Sequence, residues 1–326
     1  MKLKILKWLI VAIILISLSW FVYSSDWNAI RANIQHVGFN FFWIILITFL
    51  AQVFGTLSWQ CTLPKDVKVA YKDLFLIRYI GEHLGLVNPA NFVGGDAFKA
   101  YHLEKHGVQY SDSISSLLVS RMIMIYVQVL VFLGAALYYW VVKMESSEAL
   151  IMSIVLSILF LVALFVAALF SDKVFSLPWI QNWGLKEKAL SVRDNLRDYF
   201  KYEKKRFAMA HFWGVVNFLI GALEIWLICS FIGVEISYLE ALLIDQGVLF
   251  LKSFAAFVPG QVGVEEYINK LMLGIIGVTS TTVWISVSLF RRTRQLFWLL
   301  LGIPVYYFIM RPGLDDDRDL VLSAGE

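Results

Sequence analysis

The stretch NPANFVGGDAFKAYHLEKHG, residues 88–107, decides how the chain is read, because turn-forming and charged residues crowd into it while its surroundings are apolar. It has a later echo, FVPGQVGVEEYINKLMLGIIG, residues 257–277. A shift of 170 residues, with no gap, lays Pro89 on Pro259, Asp96 on Glu266, Gly107 on Gly277, Val108 on Val278 and Arg121 on Arg291. The chain reads as a duplication. Each copy has a short helix and then a turn, built from Pro89, Gly94 and Gly95 in the first copy and from Pro259, Gly260 and Gly263 in the second. A second short helix opening on a carboxylate follows, and then a long apolar helix with an arginine about two turns in.

Composition sets the class. With 59% hydrophobic and 16% charged residues over 326 positions and a mean hydropathy of +0.70, the chain has more apolar surface than a water-soluble core can hide. An all-α, polytopic integral membrane protein is expected. The net charge of +3 is small, and no nucleic-acid partner is expected. Cys61 and Cys229 lie in or at the end of apolar segments without CxxC spacing, so neither a disulfide framework nor a metal site is suggested. No cofactor is expected.

Windows long enough for the roughly 30 Å hydrocarbon layer occur at residues 5–22, 39–59, 113–142, 149–170, 207–232 and 281–310, giving six spans. The first begins after Lys2, Lys4 and Lys7 and reads as a signal peptide or an uncleaved anchor; the lack of a clear A-x-A site favours the anchor. Residues 72–107 and 239–277 are each broken midway by Pro and Gly, so neither half is long enough to cross. Both read as re-entrant helical hairpins, which membranes tolerate only inside protein or beside a watery cavity. Repeat one is expected over 1–142 and repeat two over 149–311, forming one domain, with a polar tail at 312–326.

Basic residues before the first span, after the second (Lys65, Lys68, Lys72) and before the fifth (Arg193 through Arg206) place both termini and the 171–206 loop in the cytoplasm. Within that loop, residues 184–206 read as a basic amphipathic helix on the inner leaflet or as a plain stop signal. Each unit makes an odd number of crossings, so the second copy lies upside down. Inverted repeats with broken helices near the midplane are a transporter architecture.

Arg121 and Arg291 fall about 12 to 15 Å into their spans, too deep to snorkel back to the headgroups. In one reading, Arg121–Asp96 and Arg291–Glu266 are buried structural salt bridges. In the other, Arg121 and Arg291, with Lys99 and Lys252, bind a lipid phosphate, and Asp96, Glu82, Glu265 and Glu266 pair with or gate them. The carboxylates are equally ordinary helix-start residues. Arg121→Ala and Arg291→Ala are each expected to abolish transport in a folded protein. Glu82 and Lys252, equivalent under the shift and opposite in charge, are candidates to meet across the pseudo-twofold axis. Arg78, His83 and Asp245 share those hairpin helices, and Glu224 is either a proton-coupling or a packing group. One of Arg291, Arg292 and Arg294 is read as facing interfacial phosphate. His102 and His106 lack a third metal ligand and read as a solvated face. No Walker A, G-x-S-x-G, HExxH or dinucleotide motif is present, so an enzyme is not expected.

Taken together, Pro89-x4-Gly-Gly-Asp96, Ser120-Arg121, Pro259-Gly-x-x-Gly-x-x-Glu266 and Arg291 resemble the transmembrane region of the lysylphosphatidylglycerol synthetase, or flippase-like, family. The likeness covers residues 1 to about 311 and is similar to the N-terminal flippase region of the multiple peptide resistance factor. It implies translocation of a phospholipid or glycolipid across a bacterial or archaeal cytoplasmic membrane. Fifteen residues follow Arg311, leaving no room for an aminoacyl-transferase domain, so lysyltransferase activity is not expected from this chain. A lipid-presenting role for a separate lipid-modifying enzyme and an intramembrane lipid-phosphate enzyme, with Asp96 or Glu266 as base, stand as alternatives.

Overall fold

A computed structural model describes residues 27–65, 67–87, 91–143, 160, 201–255, 261 and 263–307. Among these residues the regular structure is helical and no strand occurs. Helix α1 (Trp27–Val37) passes through a 3-10 turn at Gly38–Asn40 into α2 (Phe41–Gln60). The first hairpin follows as α3 (Tyr71–Val87) and α4 (Asn91–Lys105), and then the long α5 (Tyr110–Lys143). The second half repeats the order with α6 (Lys204–Phe231), α7 (Tyr238–Ser253), α8 (Val264–Ile275) and α9 (Thr281–Val305).

Among the described residues, three stretches are long and apolar enough to cross a membrane: Ile30–Gln60, Tyr110–Lys143 and Lys204–Phe231. They match three of the expected spans. Helix α9 has sufficient length at 25 residues, but Arg291, Arg292 and Arg294 fall in its middle. The expected spans at 5–22 and, apart from residue 160, 149–170 lie outside the described residues, as do most of the basic stretch 184–206 and the tail.

The hairpin helices have 17, 15, 16 and 12 residues, short of the roughly 20 needed to span. Both pairs fold back antiparallel. In the first, Leu74 and Ile77 pack in one buried cluster with Ala100 and Leu103, and Asp73 Oδ2 lies 3.6 Å from His106 Nε2 near the hairpin's open end. At Gly81 the two backbones approach so closely that a Cβ there would lie 2.9 Å from the Gly95 carbonyl oxygen. This contact gives Gly95 its place: Gly94 and Gly95, expected in the turn, lie inside α4, which begins at Asn91. Asp96 therefore sits past the first helical turn. In the second hairpin the expectation of a carboxylate at the helix start holds for Glu265 and Glu266. There Gly263 adopts φ +81°, a left-handed conformation that glycine reaches without strain. Its N–H donates to Glu266 Oε2 at 2.7 Å. Pro89, Pro259 and Gly260 fall outside the described residues.

Contacts between the halves exchange partners. Helix α2 packs along its equivalent α6, α5 packs on α7, and α9 packs on α3. A hydrogen bond and a ring stack join α2 and α6: Ser58 Oγ donates to the Ala210 carbonyl at 2.8 Å, and Phe54 stacks on Trp213. Helix α9 is tied to the first half by Trp298, whose indole N–H donates to Thr48 Oγ1 at 3.0 Å while its carbonyl accepts from the Tyr79 hydroxyl. The main apolar core joins α5, α6, α7 and α8 around Phe132, Ile225, Ile228, Leu243, Ile244 and Leu273.

Candidate functional site

Two charged centres form, one per half, and they differ in kind. In the first, Arg121 of α5 donates from Nε to Asp96 Oδ2 at 2.6 Å. Lys99, one turn along α4 from Asp96, places its ammonium 3.5 Å from that carboxylate and 3.9 Å from Glu82. Arg78 donates from Nε to Glu82 at 2.9 Å and from Nη1 to the Gln52 carbonyl at 2.9 Å. Its guanidinium lies against the backbone of α2 because position 55 is glycine; a Cβ there would fall 2.6 Å from each of the two Nη atoms.

These residues line a cavity of about 500 Å³. Arg78, Lys99 and Arg121 oppose Glu82 and Asp96 in its lining, an excess of one positive charge. The remaining wall is largely apolar, with Leu117, Ile125 and Val129 from the first half and Phe250 and Phe254 from the second. Ile125 and Phe254 reach the outer surface, at 46% and 67% exposure. Trp59 supports Lys99, whose ammonium lies 5.9 Å from its ring centroid. The indole N–H of Trp59 is buried and finds no acceptor among the described residues.

The second centre is closed. Arg291 is 3% exposed and lies among three carboxylates: Asp245 at 3.1 Å, Glu265 at 3.5 Å and Glu224 at 4.0 Å. Its Nη1 also donates to Asn269 Oδ1 at 3.4 Å. Arg294 pairs with Glu224 at 2.6 Å, Lys252 with Glu265 at 2.7 Å, and Arg292 with Glu266 at 2.8 Å. Four cations (Lys252, Arg291, Arg292, Arg294) thus meet four carboxylates (Glu224, Asp245, Glu265, Glu266), and the network is neutral. Such a buried set is stable only if every charge keeps its partners.

Several expectations change in detail. Glu266 pairs with Arg292 rather than Arg291: neighbouring residues point about 100° apart on a helix, and Arg291 faces the carboxylates of α6 and α7 instead. Glu82 and Lys252 do not meet; each is held inside its own hairpin. Of the three arginines on α9, none is left to interfacial phosphate alone, since each has a carboxylate partner. His102 is 5% exposed, not on a solvated face, with its ring packed on Phe98 at 4.0 Å between centroids. Among the described residues no group of three or more His, Cys, Asp or Glu is arranged to hold a metal. The sequence reading missed Gly55 and Trp59 as supports of the first centre. It also missed Phe250 and Phe254, whose role arises only from packing between the halves.

Comparison with the curated proteins and with the solved structures finds no match for the chain. A family model described as lysylphosphatidylglycerol synthase TM region matches residues 5–302, a stretch that holds both hairpins and every member of both charged centres. The chain therefore belongs to the lysylphosphatidylglycerol synthase transmembrane-region family of membrane proteins.

Proposed function

We propose that the protein translocates a membrane lipid, with the headgroup received in the first-half cavity and passed between two oppositely oriented, re-entrant hairpins. The observation that carries this reading is the cavity itself, whose lining joins three cations to an apolar wall that includes the surface-exposed Ile125 and Phe254. A lipid has that same two-ended character. Arginine suits the polar end because its fork grips phosphate in two places while its charge persists at any physiological pH. The exchange of partners between halves, α5 with α7 and α9 with α3, supports a pseudo-twofold arrangement of the two hairpins and the long helices that follow them. Alternating access in such repeats moves one bundle against the other around a shared site.

The test is reconstitution into liposomes with a fluorescent phospholipid and a reagent that quenches only the outer leaflet. The native protein alone is expected to expose inner-leaflet lipid to the quencher. Arg121→Ala is expected to abolish that flux while eluting as a folded species. Normal flux in this variant refutes headgroup binding at the cavity. Flux or new lipid product that appears only with a second enzyme supports a presenting role instead, and chemically altered lipid without any partner supports intramembrane chemistry.

A further inference from the structure

The charge count of the cavity says more than that a lipid enters. We infer that the cavity selects lipids whose headgroup carries a net negative charge, phosphodiesters without a compensating cation, over zwitterionic lipids, and both over aminoacylated lipids of net positive charge. This inference rests on the translocation reading for its site and deepens it to a substrate class.

Arg78, Lys99 and Arg121 outnumber Glu82 and Asp96 in the lining. Residues 88–90 and 256–260, which lie outside the described residues, contain no ionisable side chain. Lys99 is 7% exposed, and a charge held away from water interacts strongly because solvent does little to screen it. A phosphodiester of charge −1 neutralises the surplus. An aminoacyl ester adds an ammonium to the same phosphodiester and raises the positive excess. Glu82 and Asp96 do not offset this, because each is already engaged with two cations of the lining. The apolar side, with Leu117, Val129 and Phe250, commits the ligand to a lipid rather than a free phosphate ester.

The experiment measures retention rather than flux. Purified protein in detergent is offered equimolar phosphatidylglycerol, phosphatidylethanolamine and lysylphosphatidylglycerol with identical acyl chains, and bound lipid is counted by native mass spectrometry. Retention is expected in that order. Lys99→Gln removes the surplus charge and is expected to cut the ratio of phosphatidylglycerol to lysylphosphatidylglycerol by roughly tenfold, the scale of one charged contact. Glu82→Gln is expected to widen the ratio. Should Lys99→Gln elute as aggregate, Arg121→Gln, on a side chain 36% exposed, supplies the same loss of charge. A soluble competitor, glycerophosphoglycerol, is expected to displace little bound lipid; full displacement at equal concentration overturns the commitment to lipid. Equal retention of the three lipids, no retention, the reverse order, or ratios unmoved by these substitutions overturns the charge selection. Ordered retention without flux in liposomes leaves selection standing and removes transport, and flux without ordered retention does the opposite.

Discussion

Arg121 and Arg291, aligned by the 170-residue shift, meet opposite surroundings, and their substitutions should separate accordingly. Removing Arg291 leaves buried Asp245 without its cation and takes one of their cation partners from Glu265 and Glu224, which keep Lys252 and Arg294. Breaking one side of a buried charge network costs about 3–5 kcal/mol. Arg291→Ala is therefore expected to fail in stability before it fails in transport, in contrast to the folded variant expected from sequence. The Arg121 side chain is 36% exposed, and solvent-screened pairs contribute about 1 kcal/mol or less. Equilibrium unfolding of both variants by titration with a denaturing detergent checks the difference; equal losses overturn it. The pairing of Arg121 with Asp96 was legible from sequence because both are deep, isolated charges in one copy. The pairing of Arg292 with Glu266 was not, since a shift that aligns residues says nothing of the one-residue change in helix phase that reassigns partners.

At the scale of elements, the hairpins depend on how closely their two helices approach. A Cβ at Gly81 would meet the Gly95 carbonyl oxygen at 2.9 Å and Lys99 Cγ at 2.6 Å. Because backbone cannot swing aside, Gly81→Ala should cost about 1–3 kcal/mol through overpacking, despite the roughly 1 kcal/mol that alanine gains over glycine within a helix. A Cβ at Gly247 would meet the end of Met272, at 2.2 Å from Cε and 2.6 Å from Sδ. An unbranched thioether has other rotamers, so Gly247→Ala should be milder, and thermal melts of the pair check the order. The antiparallel hairpins were legible from Pro and Gly placed midway through segments too short to span. The start of α4 was not, because Gly94 and Gly95 look like turn residues, and only the contact with Gly81 shows that Gly95 serves close helix packing.

For the whole molecule, the proposed upside-down placement of the second half makes a directional prediction. Gln109 and Thr279 are equivalent under the 170-residue shift, and both are exposed. Each lies just before the long helix of its half, α5 or α9. In a background with Cys61 and Cys229 replaced by alanine, Thr279→Cys should react with an impermeant maleimide added outside intact cells, and Gln109→Cys only after permeabilisation. Labelling of both from one side removes the inverted arrangement.

Helix α7 lends itself to both centres, with Asp245 in the second network and Phe250 in the wall of the first cavity. Five positions on one helix, about 7.5 Å, separate the aromatic wall of the cavity at Phe250 from the grip on Arg291 at Asp245. On the proposed translocation, a rod of that length would have no slack, so pressure on its aromatic end would be felt at its acidic end and would gear the two halves together through a single part.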